Sequence, residues 1–183
     1  MSLRRLHNTA GCALALCLTV GVALAALTGP AQARSASSVA TAAMHSFAQN
    51  CFSPFLTAQR AQDRLSIANT RYEFYDLDPF SSAAPSPVIG RAATPGTDRR
   101  CEMSFPGDFA AQAAYAAERA LDHEGITEPA ALPSQFERTE GTHLLAARRL
   151  NPRRVAVVHV GLRDGAWGQE TFMLVERMMP KDG

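Results

Sequence analysis

A chain of 183 residues with 18 basic and 17 acidic side chains has no electrostatic reason to seek nucleic acid or an anionic membrane. Its length suits a single domain once a leader is set aside.

The first 33 residues have the order of an export signal. Arg4 and Arg5 give a positive start, "CALALCLTVGVALAAL" an apolar run, and Ala31–Gln32–Ala33 a small-residue cleavage pattern. The run from Ala10 to Leu27 is short and Ala/Gly-rich for a membrane span, and Cys12 and Cys17 lack the setting a lipid attachment needs. The expected organisation is a cleaved signal peptide over 1–33 and one domain over 34–183, exported to the periplasm or the medium with no span left after cleavage. The arginine pair also admits the twin-arginine route, although His7 and Asn8 follow it where apolar residues are expected. Cleavage removes two basic residues, leaving 18 − 2 = 16 against 17 acidic ones.

Only Cys51 and Cys101 survive cleavage, and a lone pair of cysteines in an exported chain predicts one disulfide. The mature chain opens with Ala40, Ala43, Met44 and Phe47 on one helical stripe ending before Cys51. A second helix is expected within "SPFLTAQRAQDRLSIAN", starting at Ser53 or, a turn later, at Thr57. "RYEFYDL" alternates as a strand, and Pro79 ends it. Residues 78–98 form a Pro/Ser/Ala-rich loop without periodicity.

"RRCEMSF" is the next strand. It sets Cys101, Met103 and Phe105 on one face and Arg100, Glu102 and Ser104 on the other, so Cys101 points into the core. Asp108 is the expected cap of an alanine-rich helix stopping at Gly125.

Three segments then make an antiparallel meander: "FERTEGTHLLAARRL", in which a helix through "THLLAARRL" is the competing reading, "RRVAVVHVGLR" and "QETFMLVERM". Asn151–Pro152 and "DGAWG" are the turns. An odd-numbered loop at the second turn would put Phe172 and Leu174 on the face of Ala156, Val158, Val160 and Leu162. The fold class expected is α+β: an antiparallel sheet of about five strands, covered on one face by about three helices and held by one disulfide.

Chemistry is harder to find. There is no glycine-rich phosphate loop, no nucleophile elbow, no zinc-finger cysteine spacing and no helical histidine pair, so no cofactor or metal site is expected. Four residues remain as catalytic candidates. His159 interrupts the most apolar strand, His143 lies one hairpin away, and Glu140 and Asp76 are carboxylates available to them. A turn centred on Asn151–Pro152 places His159 opposite Leu144 and His143 opposite Val160, so the two imidazoles point to opposite faces and share no metal. A slip of one residue would bring them together.

His45 and His123 read as surface residues, and a Ser53–His45–Asp76 triad is not required by spacing. Asp76 and Asp78 read as turn-closing carboxylates at a strand end. The pairs Arg99–Arg100, Arg148–Arg149 and Arg153–Arg154 read as solvated strand ends rather than an anion site. Trp167, at the tip of "DGAWG", is the candidate for contact with a partner. The reading that results is a small exported binding module whose partner is an envelope protein or a small ligand. The alternative is a small secreted hydrolase using a histidine and a carboxylate.

Overall fold

A computed structural model describes residues 29–76 and 97–179. Most of the predicted signal and nearly all of the predicted loop at 78–98 lie outside the described residues. Among the described residues there are three helices and five strands, in the order α1 (Gly29–Asn50), α2 (Ala58–Leu65), β1 (Arg71–Asp76), β2 (Thr97–Pro106), α3 (Ala110–His123), β3 (Thr142–Asn151), β4 (Arg154–Gly165) and β5 (Gly168–Met178). Residues from Ser35 onward make one compact unit. The expected cleavage point after Ala33 falls inside α1, so cleavage there still leaves more than four turns of that helix. No helix of the described residues is long and apolar enough to cross a membrane.

The five strands form one antiparallel sheet in the order β1-β2-β5-β4-β3. The meander β3-β4-β5 is therefore completed by β2, which docks along β5. "THLLAARRL" is strand, not helix: Leu144 and Leu145 are both buried, on opposite faces, which a strand achieves and a one-sided helix does not.

Alternation puts two unlike surfaces on the sheet. One carries the rows Phe74–Cys101–Val175–Val158–Ala146 and Tyr72–Met103–Met173–Val160–Leu144. Against these pack Ala40, Ala43 and Phe47 of α1, Ala61 and Leu65 of α2, and Ala113, Ala117 and Leu121 of α3. The alanines keep the helices close to the sheet. Cys51 and Cys101 are joined in a disulfide with Cα atoms 5.5 Å apart, linking the end of α1 to the middle of β2.

The other surface carries Leu145, Ala147, Val155, Val157 and Met178 at the β3/β4 side, packed by Ala130 and Phe136 of the α3–β3 connection. That connection is held to β3 by Ala130 N–H to Ala147 O (3.1 Å) and Arg149 N–H to Glu128 O (2.8 Å). Toward β1 and β2 the same surface turns charged.

Several local expectations are corrected. α2 begins at Ala58, because Thr57 and not Ser53 caps it: Thr57 Oγ1 accepts from Arg60 N–H at 3.3 Å. The N-cap of α3 is Phe109, whose N–H donates to Thr171 Oγ1 at 2.9 Å, while Asp108 stays exposed. Gly125 does stop α3. With φ 71° it lets Gly125 N–H reach Asp122 O and Ile126 N–H reach Leu121 O, the paired bonds of a Schellman ending.

The β4–β5 loop has two residues, Ala166 and Trp167, followed by Gly168 at φ 80°, a left-handed residue that restores the strand twist. Its even length moves Phe172 and Leu174 off the helix-covered face and onto the surface of His159, while Met173 and Val175 take the core positions.

Candidate functional site

Strand β2 explains the charged surface. Its cysteine face is buried by helices, and its even-numbered residues are equally enclosed, although they are Arg100, Glu102 and Ser104. The row Tyr75–Arg100–Glu176–Val157–Ala147 puts Arg100 beside Glu176, and the row Glu73–Glu102–Leu174–His159–Leu145 puts Glu73 and Glu102 one step along. The Arg100 guanidinium donates to Glu102 and to Glu176 and lies 3.4 Å from Glu73. Arg163 continues the chain of charges, 2.6 Å from Glu102 and 2.7 Å from Glu170, with its guanidinium also over the Phe172 ring.

Burial alone would disfavour both cations. Glu102, Glu176 and Glu73 outweigh it at Arg100, and Glu102 and Glu170 outweigh it at Arg163, so both guanidiniums hold their protons more firmly than in water. Two guanidiniums and four carboxylates thus interlock across β1, β2, β4 and β5.

His159 stands beside this network without joining it. Its Nε2 shares a 3.1 Å hydrogen bond with Thr142 Oγ1, and its ring meets Phe172 edge-on at 4.9 Å. Burial lowers the imidazole pKa; nearby Arg138 pushes the same way and Glu102 opposes. The folded state therefore binds fewer protons than the unfolded state just below the ordinary histidine pKa of about 6.5. Stability from this group is present above that value and is lost as pH falls toward the depressed folded pKa. The expected result is an NMR titration midpoint for His159 below about 6.5, with acid sensitivity reduced in His159→Asn. A midpoint at or above that value would contradict the burial argument.

The strand register decides the other histidine. Leu144 pairs with Val160 and Leu145 with His159, one residue away from the expected pairing: Asn151 pairs with Arg154, so the turn is centred on Pro152–Arg153, and the ladder shift between Arg149 and Asn151 recovers only one of the two residues by which that turn displaces the register. That slip would bring His143 alongside His159. A second irregularity between Thr142 and Leu144 prevents it, setting Thr142 opposite Gly161 and leaving His143 out of the ladder and exposed. Thr142 therefore occupies the place next to His159.

Glu140 is exposed in the turn before β3, and among the described residues no hydrogen bond or ion pair joins it to either histidine. Asp76 lies on β1, three strand spacings or roughly 14 Å across the sheet from β4 and level there with Ala156, three residues along from His159, and is engaged by Arg99 and Arg177. Asp78 lies outside the described residues. Among the described residues no group of three or more His, Cys, Asp or Glu side chains is placed to hold a metal ion.

A second concentration of charge closes one end of the sheet. Asp98, at the irregular start of β2, accepts from Arg154 Nε at 2.6 Å and from Arg177 Nε at 2.7 Å. Arg177 Nη2 donates to Asp76 at 2.8 Å, and Arg99 Nη1 donates to the same carboxylate at 3.1 Å. Arg99 is buried and also donates to the carbonyls of Ser53, Pro54 and Leu56, tying the α1–α2 corner to the sheet. Burial lowers its pKa, against the pull of Asp76.

Outside this cluster opens a cleft of about 370 Å³ lined by Asp98, Asn151, Arg153, Arg154 and Arg177. The solvated-strand-end reading of the arginine pairs thus fails at Arg99 and Arg100, which are buried, and at Arg154, which is ion-paired and largely covered. At Arg99 and Arg100 it fails because consecutive residues of a central strand point to opposite faces, and both faces of β2 are enclosed; at Arg154 it fails because Asp98 covers that side chain, while Arg153 stays exposed.

Trp167 stands at the opposite end of the sheet from the cleft, roughly 35 Å along β4, and keeps 37% of its surface exposed. Of the sequence candidates, then, His159 is held by Thr142, and Asp76 belongs to the arginine cluster. His143, Glu140 and Trp167 stay apart from both. The arginine cluster was hidden from sequence reasoning because Asp98, Arg154 and Arg177 are brought together only by long-range pairing; the nearest signal was Arg153–Arg154 immediately after the turn expected at Asn151–Pro152, a turn that the structure places on Pro152 and Arg153. Comparison of the chain with protein-family models, with curated proteins and with solved structures finds no match.

Proposed function

We propose that this protein is a small exported binding module, acting in the periplasm or the medium, and that the arginine-lined cleft at the Arg154 end of the sheet is where it engages its ligand. The observation that carries this reading is the composition of the cleft, whose wall holds three guanidiniums and no histidine. Its volume of about 370 Å³ is within the range of small-ligand sites. Export is supported by the leader-like residues 1–33 and by the disulfide, a bond that persists in oxidising compartments. The hydrolase alternative needs an acid hydrogen-bonded to a histidine, and His159 is bonded to Thr142 instead.

The protein recovered from the export compartment, incubated with envelope extract and re-isolated, is expected to carry a small molecule or partner visible by native mass spectrometry. Arg153→Glu is expected to lose it. An empty wild-type protein, or ester or phosphoester turnover abolished by His159→Asn, would overturn the reading.

A further inference from the structure

Resting on that binding reading, we propose that the cleft is an oxyanion site, built to take the phosphate group of a small ligand or of a lipid headgroup. The two clusters of this protein differ in sign. In the network across the sheet, the two guanidiniums of Arg100 and Arg163 meet the four carboxylates of Glu73, Glu102, Glu170 and Glu176. Around the cleft the proportion reverses, with Arg153, Arg154 and Arg177 against Asp98 alone. Adding the neighbouring Arg99 and Asp76 leaves the excess of two positive charges unchanged.

The donors are also held in place. Asp98, 9% exposed, fixes both Arg154 and Arg177 through their Nε atoms. Arg154 is held a second time by Nη1 to Arg153 O at 2.9 Å, and Arg177 by Nη2 to Asp76. A guanidinium has five N–H donors, and two bonds on each leave further donors for a ligand. Arg153 takes part in no ion pair among the described residues, and its backbone N–H is held by Asn151 Oδ1 at 2.8 Å, which fixes the turn that presents it. Planar forks match the oxygens of a phosphate in pairs, and a phosphate monoester near charge −2 neutralises the excess. Ordering the arginines before binding lowers the entropic cost of holding the ligand.

The test is calorimetric titration of the exported protein at low salt with inorganic phosphate and with phenyl phosphate, alongside sedimentation with vesicles of phosphatidylglycerol or of phosphatidylcholine. The phosphate ligands or the phosphatidylglycerol vesicles are expected to bind, more weakly as salt is raised. Arg153→Glu is expected to weaken binding by about tenfold or more, the loss of roughly one charge-assisted hydrogen bond, and Arg153→Gln by less. Arg119→Glu, on the exposed side of α3, should leave it unchanged.

Phosphate binding without vesicle binding identifies a soluble ligand, and vesicle binding restricted to phosphatidylglycerol identifies a headgroup. Absence of both, or equal binding by Arg153→Glu, overturns the inference. If it falls while material carried from envelope extract is still lost in Arg153→Glu, the binding reading stands without it. If nothing is carried either, both fall.

Discussion

Replacing Arg100 with methionine is expected to destabilise the protein by about 3–5 kcal/mol, the range for removing one partner of a buried ion pair. The guanidinium is shared by Glu102 and Glu176 and faces Glu73 at 3.4 Å, and those side chains are 6%, 0% and 9% exposed. Methionine fills much of the space but returns none of the charge, so three carboxylates lose their common counter-ion at once. The size of the loss is set by those abandoned carboxylates, more than by any net gain the pairing gives the native protein. A variant that neutralises a carboxylate as well, Arg100→Met with Glu176→Gln, is therefore expected to be less unstable than the sum of its parts.

The pH dependence has a definite sign. Deprived of Arg100, the protein is destabilised by uncompensated buried negative charge, so the deficit is expected to shrink as pH falls from about 7 to about 5. Urea unfolding at those two pH values checks both statements. An Arg100→Met protein within about 1 kcal/mol of wild type would show that the network contributes no more than a surface pair.

How much of this was legible in the sequence follows from the range over which each feature is determined. The alternation of "RRCEMSF" shows which β2 side chains share a face, and Cys101, Met103 and Phe105 are indeed the core-facing set. Gly125, with its left-handed φ, marks the end of α3 from composition alone. What alternation does not reveal is the position of a strand in its sheet. β2 lies between β1 and β5 because residues about seventy positions later pair with it, and that pairing turns Arg100 and Glu102 from solvated residues into buried ones.

Loop parity is a second example. One residue fewer in the β4–β5 turn than an odd-numbered loop requires is enough to exchange Phe172 and Leu174 for Met173 and Val175 in the core. The two irregularities of β3 act likewise: the one near Leu150 sets a register that would align His143 with His159, and the one at His143 undoes it. The candidate site depends on the same long-range terms. Asp98, Arg154 and Arg177 come from three strands, and no local spacing links them. A strand-end arginine pair beside a turn is visible in the sequence; the carboxylate that orients it is not.

Removing both cysteines, as Cys51→Ala with Cys101→Ala, is expected to cost about 4 kcal/mol, the chain-entropy estimate for cross-linking a segment of this length. The bond spans 50 positions, and it acts where the helices must be set against the sheet. Cys51 follows the last turn of α1, its N–H donating to Phe47 O at 2.9 Å, while Cys101 is fully buried on β2. The same corner has a second fastening two residues away on β2, where Arg99 donates to the carbonyls of Ser53, Pro54 and Leu56. Ser46 Oγ adds a bond to Arg64 O at 2.7 Å between the two helices.

Because the disulfide and Arg99 hold one corner, their losses should not add. With the disulfide intact, Arg99→Met leaves the α1–α2 corner still tethered to β2; without it, the same substitution removes the remaining polar tie. The double-mutant cycle is therefore expected to show a coupling within the ~0.5–3 kcal/mol range of sites sharing one network. Thiol titration of the oxidised protein should find no free thiol on Cys51 or Cys101. Two titratable thiols there, or a cysteine-free variant as stable as wild type, would mean that Arg99 and helix packing hold the corner and that the staple contributes nothing to it.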